Sequence, residues 1–432
     1  MAKILVTTFG TTGDVLPSLR LATELAHRNH QLVLALNPSQ THLARKWNFS
    51  AVAIGPNIDQ QTWAGAYEKG TLANINTART VAALVEHVYA PAIIGTYPAF
   101  VSLVPEYDFV IANPLALWAA PACAHHARPY AMLHMMGIGI PSRSYPPPRF
   151  PKPPFFKTLY NIIAWELTRV ALWLVYTRPL KEAYRKVGLE VPTHLFLDDS
   201  LSPHLNILAL DPLWFRPGVD WPRTIVQTGF IRPHPAEDSE VPAEVVRFVT
   251  EGNKAPLLVF AFGSMQHFGR EASYQPFIDV ARRHGCRVLI VEGWGGTISR
   301  KGDDVLSVPY VSYKWLFDHA AIVVHHGGTG TVTDCFWSTV PQLIVAHGFD
   351  QPDNGLRVEG LGAGRWMHLR HFTASRFDKV LEEMLRSLST YKQATVLFER
   401  QLIRDGVQRA ADSVECLLSG ARKEKAKTFT TH

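Results

Sequence analysis

The sequence predicts an α/β protein built from two Rossmann-like, doubly wound parallel-sheet domains. Three observations lead there. Short β-rich runs alternate with helical patterns along both halves of the chain, which is the signature of parallel strands joined by helical crossovers. The chain has 432 residues, beyond the size at which one hydrophobic core stops growing, so two domains are the default. A Pro-rich, acidic stretch from Gly229 to Ala243 separates the two series as a linker would. The expected division is an N-terminal domain at 1–230, a linker at 231–250, a C-terminal domain at 251–400, a C-terminal helix at 401–420 packing back towards the first domain, and a frayed basic tail at 421–432.

The elements follow in order. Lys3 to Thr8 is an apolar strand, Gly10 to Asp14 a turn, and Leu16 to Arg28 a helix with apolar residues at Leu16, Leu19, Ala22, Leu25 and Ala26. Strands are expected at 31–36, 51–54, 109–113, 130–133 and 206–209, with helices at 41–46 and 117–126. Residues 57–108 and 137–200 break the rhythm with aromatic and Pro-rich sequence. Insertions of that length are usually functional, and these would wall a pocket or cap the core. In the second half, strands are expected at 256–261, 287–291, 306–308, 321–324 and 342–346, and helices at 274–284, 377–388, 389–402 and 410–418. Ligands of such sheets sit at the carboxyl ends of the strands, so two domains facing a central cleft would hold a donor on one side and an acceptor on the other.

Composition narrows the function. A hydrophobic content of 47% with 19% charged residues describes a globular chain, and the net charge of +6 is mild. No basic stripe interleaved with aromatics is present, which argues against a nucleic-acid partner. The four cysteines, Cys123, Cys286, Cys335 and Cys416, are widely spaced without CxxC, and Met1-Ala2-Lys3 leads straight into a strand. Both features predict a cytoplasmic protein with reduced thiols and no leader. No run of 18 apolar residues is evident, and Ile162 to Tyr176, interrupted by Glu166, Thr168 and Arg169, reads as an amphipathic helix.

The stretch Val323-Val324-His325-His326-Gly327-Gly328-Thr329-Gly330-Thr331 carries the most chemistry. Strand, glycine-rich turn and helix place backbone N–H groups and a helix N-terminus against a phosphate. The imidazole at the turn can donate to a phosphate oxygen. Asp350-Gln351 follows after a second apolar run. A nucleoside diphosphate is the predicted ligand; a tight turn with buried histidines is the alternative.

Three blocks make the chain resemble the inverting GT-B glycosyltransferases of the UDP-glycosyltransferase superfamily, with motifs like those of sterol glucosyltransferases and bacterial natural-product glycosyltransferases. The first is Val6 to Pro17, similar to a G-T/S-R-G-D-x-x-P start. The second is Glu292-Gly293-Trp294-Gly295-Gly296 with Val311-Ser312-Tyr313-Lys314-Trp315-Leu316-Phe317. The third is His325 to Thr331 with Phe349-Asp350-Gln351-Pro352. The resemblance covers about residues 3 to 370. It implies that His326 meets the donor's α-phosphate and that Gly328, Thr329, Gly330 and Thr331 hold the β-phosphate. It further implies that Asp350 and Gln351 reach sugar hydroxyls, Ser264 lies near the diphosphate, and backbone groups around Val311 meet the base, while Asp334, where plant relatives have a ribose-binding Glu, takes the ribose or only favours the early helix turns. Trp294 would pack beside the base or belong to the core. The sequence departs from the pattern at Thr12, Ser312-Tyr313, Asp334 and His347-Gly348.

Glycosyl transfer needs a base for the acceptor hydroxyl and stabilisation of the departing diphosphate. Many relatives place a His after the first strand; this chain has Asp14 there, expected as the base, as the cap of the following helix, or as both. The implied activity is an inverting transfer of glucose from UDP-glucose to an apolar hydroxylated acceptor such as a sterol, polyketide or flavonoid. The donor is a co-substrate and no metal is expected. The alternatives are a nucleotide-sugar epimerase and a non-catalytic binding partner. Residues 152–176 mix basic and aromatic side chains, which fits weak peripheral membrane contact or an acceptor-domain helix.

Overall fold

The computed structural model describes residues 1–68, 78–148, 150–151, 155–231, 241–251, 254–263, 274–293 and 302–429. Two compact units emerge, one from Met1–Tyr67, Ala78–Arg232 and Ile403–His432, the other centred on Pro233–Leu402.

The first unit contains a seven-stranded parallel sheet in the order β3-β2-β1-β4-β5-β6-β7. The strands are β1 (Lys3–Thr8), β2 (Gln31–Leu36), β3 (Ala51–Ala53), β4 (Phe109–Ala112), β5 (Tyr130–His134), β6 (Leu205–Leu208) and β7 (Ile225–Gln227). β1 pairs with β2 on one side and with β4 on the other, with Thr7 opposite Ala112. Strand order reverses there, which makes the carboxyl ends of β1 and β4 the topological switch point. Ile4, Val6, Ile111, Leu133 and Ile207 are fully buried or nearly so, as expected of a sheet covered on both faces.

The second unit repeats the plan with six parallel strands in the order β10-β9-β8-β11-β12-β13. These are β8 (Leu257–Ala261), β9 (Arg287–Val291), β10 (Val305–Val308), β11 (Ile322–His325), β12 (Gln342–Ala346) and β13 (Gly364–His368). Here the switch point lies between β8 and β11, where Ala261 is opposite His325.

Several expectations are corrected. The helix after β1 begins at Thr12, so the expected turn through Asp14 is its first turn. β7 and β13 were not expected; β7 is only three residues long, and β13 opens on Gly364 and carries Arg365 and His368, which breaks the apolar pattern. Gly364 is required because a Cβ there would stand 1.9 Å from the Gln342 carbonyl oxygen. Within the expected linker, Ala243–Val246 and Arg247–Glu251 are helical and bury Val245 and Val249 against Leu257, while residues 232–240 lie outside the described residues. The C-terminal helix spans Gly406–Phe429, so backbone expected to fray is helical. Within the first unit, Val407, Ala410, Ala411 and Val414 join the core of Leu19, Leu21 and Leu25. Arg28 clasps this helix through Asp412 at 2.5 Å and Glu415 at 2.8 Å.

The insertions are helical. Arg79–Glu106 forms one continuous stretch that, by length and composition, is apolar enough to cross a membrane, contrary to expectation. Its Val88, Ala92, Ile93, Thr96 and Phe100 are buried at helical spacing within the unit, as in a core helix.

Candidate functional site

The chemistry-bearing residues gather at the two switch points. In the first unit, β1 ends in Phe9-Gly10-Thr11. Asn113, fully buried just beyond β4, clamps this exit: its Oδ1 accepts from the Phe9 N–H at 3.1 Å, and its Nδ2 donates to the Phe9 carbonyl at 2.7 Å. Gly10 has φ +128°, and a Cβ there would meet Asp14 Oδ2 at 2.3 Å. The glycine therefore clears space for the carboxylate.

Asp14 is not the helix cap. Thr11 is the N-cap, and Asp14, third in the helix, reaches back so that Oδ2 accepts from the Thr11 N–H at 2.7 Å and from Thr11 Oγ1 at 3.0 Å. This is the carboxylate half of a capping box. Burial pushes the Asp14 carboxyl up to about 6, overriding the two Thr11 hydrogen bonds that pull it down. A carboxylate with that affinity is mostly ionised at neutral pH and still accepts a proton readily, as a general base must.

Aromatic rings from both insertions adjoin it. Phe9 lies 5.7 Å from Trp63 and 6.4 Å from Tyr89, while Tyr89 lies 6.2 Å from Tyr176 and 5.6 Å from Phe196. Burial raises the Tyr67 and Tyr89 phenols, and the Asp14 charge raises them further. These rings are packed against one another, an arrangement that serves a pocket wall and a cap over the core alike.

In the second unit, β11 delivers His325 and His326 to the turn. His325 is fully buried, with Nε2 3.0 Å from Gln342 Oε1 and Nδ1 accepting from the Gly327 N–H at 3.2 Å. These partners make Nε2 the protonated nitrogen. Burial drives its pKa down to about 3, assisted by His326, so it is a neutral structural residue. His326 lies over the glycine turn, since a Cβ on Gly328 would fall 2.5 Å from its Nε2. Gly327, at φ +92°, would strike Ile344 Cγ2 at 2.7 Å if it carried a Cβ. Burial lowers His326 to about 4, against the opposing pull of the Ala261 carbonyl. At neutral pH it is an uncharged hydrogen-bonding group.

Gly328 caps the helix Thr329–Trp337, whose first backbone bond runs from Val332 N–H to the Gly328 carbonyl at 3.0 Å. The N–H groups of Thr329, Gly330 and Thr331 precede that bond and point from the helix N-terminus, the anion-binding end. Glycine turns after β8 and β9 close on each other nearby: Gly263 has φ +55°, and a Cβ on Gly293 would reach the Gly263 carbonyl at 2.5 Å.

Asp350 and Gln351 join the same cluster, with part of their hydrogen-bonding capacity used internally. Asp350 Oδ2 accepts from Thr329 Oγ1 at 3.0 Å and from Asn354 Nδ2 at 2.9 Å. The Thr329 hydroxyl, expected on the β-phosphate, is therefore directed at Asp350. Asn354 Nδ2 also donates to the Gly327 carbonyl at 2.9 Å, tying the turn to the helix Gln351–Gly360. Gln351 Oε1 accepts from the His347 and Gly348 N–H groups at 2.7 and 3.2 Å. Burial raises Asp350 to about 6 against its bonds from Thr329 and Asn354. Phe349, immediately before it, sits at φ +54°, a strained conformation for a bulky residue.

Val311 lies in the loop after β10 with its side chain in the core beside Leu306 and Leu316, which leaves only its main chain for a ligand. Asp334 is on the helix Thr329–Trp337; burial raises the Tyr313 phenol and the Asp334 charge raises it further. Ser264 and Trp294 lie outside the described residues. Asn113 and Asn354 were not anticipated. Asn354 had a signal in its i, i+4 spacing from Asp350; Asn113 acts through chain reversal 104 positions away and had none.

Comparisons with known proteins agree with this fold. Residues 288–407 match the family described as erythromycin biosynthesis protein CIII-like, C-terminal domain. A sterol 3-beta-glucosyltransferase of Leptosphaeria maculans is 26% identical over 275 residues, covering 61% of this chain and 19% of that protein. An uncharacterised glycosyltransferase of Mycobacterium tuberculosis is 26% identical over 438 residues, covering 94% of this chain and 100% of its own. The solved glycosyltransferase of kitacinnamycin superposes with a TM-score of 0.69 at 18% identity, covering 96% and 99% of the two chains. The glycosyltransferase VinC in complex with dTDP superposes at 0.62 and 17%, covering 98% and 100%. At these identities the structural likeness is one of fold. Two Rossmann-like units, each with its site at a switch point, define a GT-B glycosyltransferase. The family match and the glycosyltransferase relatives support a place in the UDP-glycosyltransferase superfamily.

Proposed function

We propose that the protein is an inverting glycosyltransferase that moves glucose from UDP-glucose to a hydroxyl of an apolar small molecule, such as a sterol, polyketide or flavonoid, in cytoplasmic secondary metabolism. The observation that carries the donor half is the His326 imidazole lying over Gly328 at the N-terminus of the helix Thr329–Trp337. Departure of the diphosphate places negative charge where that helix end and its amides favour it. The His326 ring adds a hydrogen bond without carrying charge of its own.

Asp14 takes the acceptor proton as the hydroxyl oxygen attacks the anomeric carbon. The second Asp350 oxygen and Gln351 Nε2 are the groups proposed for the sugar hydroxyls, with main-chain groups at Val311 for the base, Asp334 for the ribose and Ser264 near the diphosphate. No divalent metal is assigned a role, and activity should persist in chelator. The aromatic rings around Asp14 and the sterol-glucosyltransferase relative support an apolar acceptor; the dTDP complex of VinC makes dTDP-sugars the competing donors.

The test is a donor-by-acceptor screen of UDP- and dTDP-sugars against hydroxylated lipophiles, read by mass spectrometry. A glucosylated product with release of UDP is expected. Conversion of the nucleotide sugar without acceptor would instead show an epimerase, and donor binding without turnover a non-catalytic partner.

A further inference from the structure

The first unit carries an apolar helix face that no part of the described chain covers. Phe156, Leu159, Ile163, Leu167, Val170 and Leu174 are all exposed, Phe156 to 86% and the others to between 48% and 58%. They recur at three- and four-residue spacing from the start of the helix Lys157–Leu172 into the π-turn Trp173–Thr177, so they lie on one side of it. The opposite side, with Asn161, Ala164 and Trp165, is buried. A single acid, Glu166, interrupts the stripe, and it is paired with Arg169 at 2.5 Å. An exposed apolar surface this continuous marks an interaction site.

Charge identifies the occupant. Lys157 opens the stripe, and Arg178, Lys181 and Arg185 follow its end at i, i+3 and i+7, all exposed. None of these four forms an ion pair among the described residues. Glu182 is the acid among them. With cations at both ends, a two-fold pairing of two copies would oppose like charges, whereas an anionic lipid surface would neutralise them. A groove of about 560 Å³ beside the stripe is lined by Leu174, Val175, Val85 and Ile94 with Glu86, Glu182 and Lys186 among them, so it is mostly apolar with charged groups in its wall.

We propose that this face docks the protein on an anionic phospholipid bilayer. The apolar residues enter the acyl boundary while Lys157, Arg178, Lys181 and Arg185 meet the headgroups, the arrangement of an interfacial amphipathic helix. The inference stands on the first unit alone and does not depend on the identity of donor or acceptor.

Co-sedimentation of the full chain with vesicles tests it, using phosphatidylcholine alone and phosphatidylcholine mixed with phosphatidylglycerol. The protein should partition onto the mixed vesicles and be released by salt. Each cation near the surface contributes about fivefold, so Lys181→Gln with Arg185→Gln should weaken partitioning about 25-fold. Leu167→Asp with Val170→Asp should weaken it more than tenfold on both compositions, with an unchanged thermal midpoint showing that the fold survives. Absence of sedimentation, or binding by either variant equal to that of the wild type, overturns the proposal. So does a concentration-dependent dimer, abolished by the Asp substitutions, in a protein that ignores vesicles.

Discussion

Replacing Asp14 by Asn tests the base directly. The variant keeps the shape of the side chain and removes its capacity to accept a proton at neutral pH. General-base catalysis is worth about 10²- to 10⁴-fold, so kcat should fall by that factor while nucleotide affinity, which belongs to the second unit, stays constant. The fold should not suffer, because burial already disfavours the ionised carboxylate, as its rise to about 6 shows. The same value sets the pH profile of the wild type. With a pKa of about 6, roughly a tenth of Asp14 is ionised at pH 5 and nearly all at pH 7.5, so kcat/KM should climb about tenfold between them and then level. Thr11→Val supplies an internal control. It removes the Oγ1 hydrogen bond that lowers the Asp14 pKa, so the inflection should move to higher pH with the plateau preserved. Initial rates under saturating donor, across pH 5 to 8, read all three proteins. Turnover of the Asn variant within threefold of wild type, or a flat wild-type profile over that range, would refute the assignment.

Two further outcomes follow from the second unit and the buried histidines. Because His326 is neutral at working pH, it serves as a hydrogen-bonding group. His326→Ala should cost about 10- to 100-fold in kcat/KM, and His326→Gln should recover part of it; titration calorimetry with UDP separates the binding share. Acid should destabilise the protein through its buried histidines more than the two raised carboxyls stabilise it. His134, His325 and His347 have folded pKa values of about 4, 3 and 3, below the unfolded value of 6.5, so their stabilisation is complete above pH 6.5 and lost as pH falls towards 3–4. At pH 5 each has cost about 2 kcal/mol. Asp14 and Asp350, raised to about 6, act in the opposite sense and return part of this as they protonate. A calorimetric midpoint lower at pH 5 than at pH 7.5 is expected.

The sequence made the sheets and the phosphate turn legible because both depend on local signals. Apolar runs such as Ile4 to Val6 and Ile322 to Val324 encode buried parallel strands by composition alone, and the glycines at 327 and 328 mark a backbone that must pass close to other groups. The roles within the turn were less legible because they depend on partners brought in by the fold. Thr329 reads as a phosphate hydroxyl until Asp350, 21 positions away, accepts its proton. Asp350 reads as a sugar-binding carboxylate until Asn354 and Thr329 are seen to occupy one of its oxygens. The consequence is mechanistic. Asn354 ties the Gly327 carbonyl and the Asp350 carboxylate to a single amide, so the acid proposed for the sugar and the glycine turn proposed for the phosphates are held together. In the proposed reaction, preorganisation of this kind would leave the main-chain amides of Thr329, Gly330 and Thr331 as the chief recognition of the diphosphate, and amides cost no reorganisation when charge develops on the leaving group. It also explains why a left-handed Phe349 is tolerated: the strain is held by Gln351 fastening the His347–Gly348 backbone on the other side of the same loop.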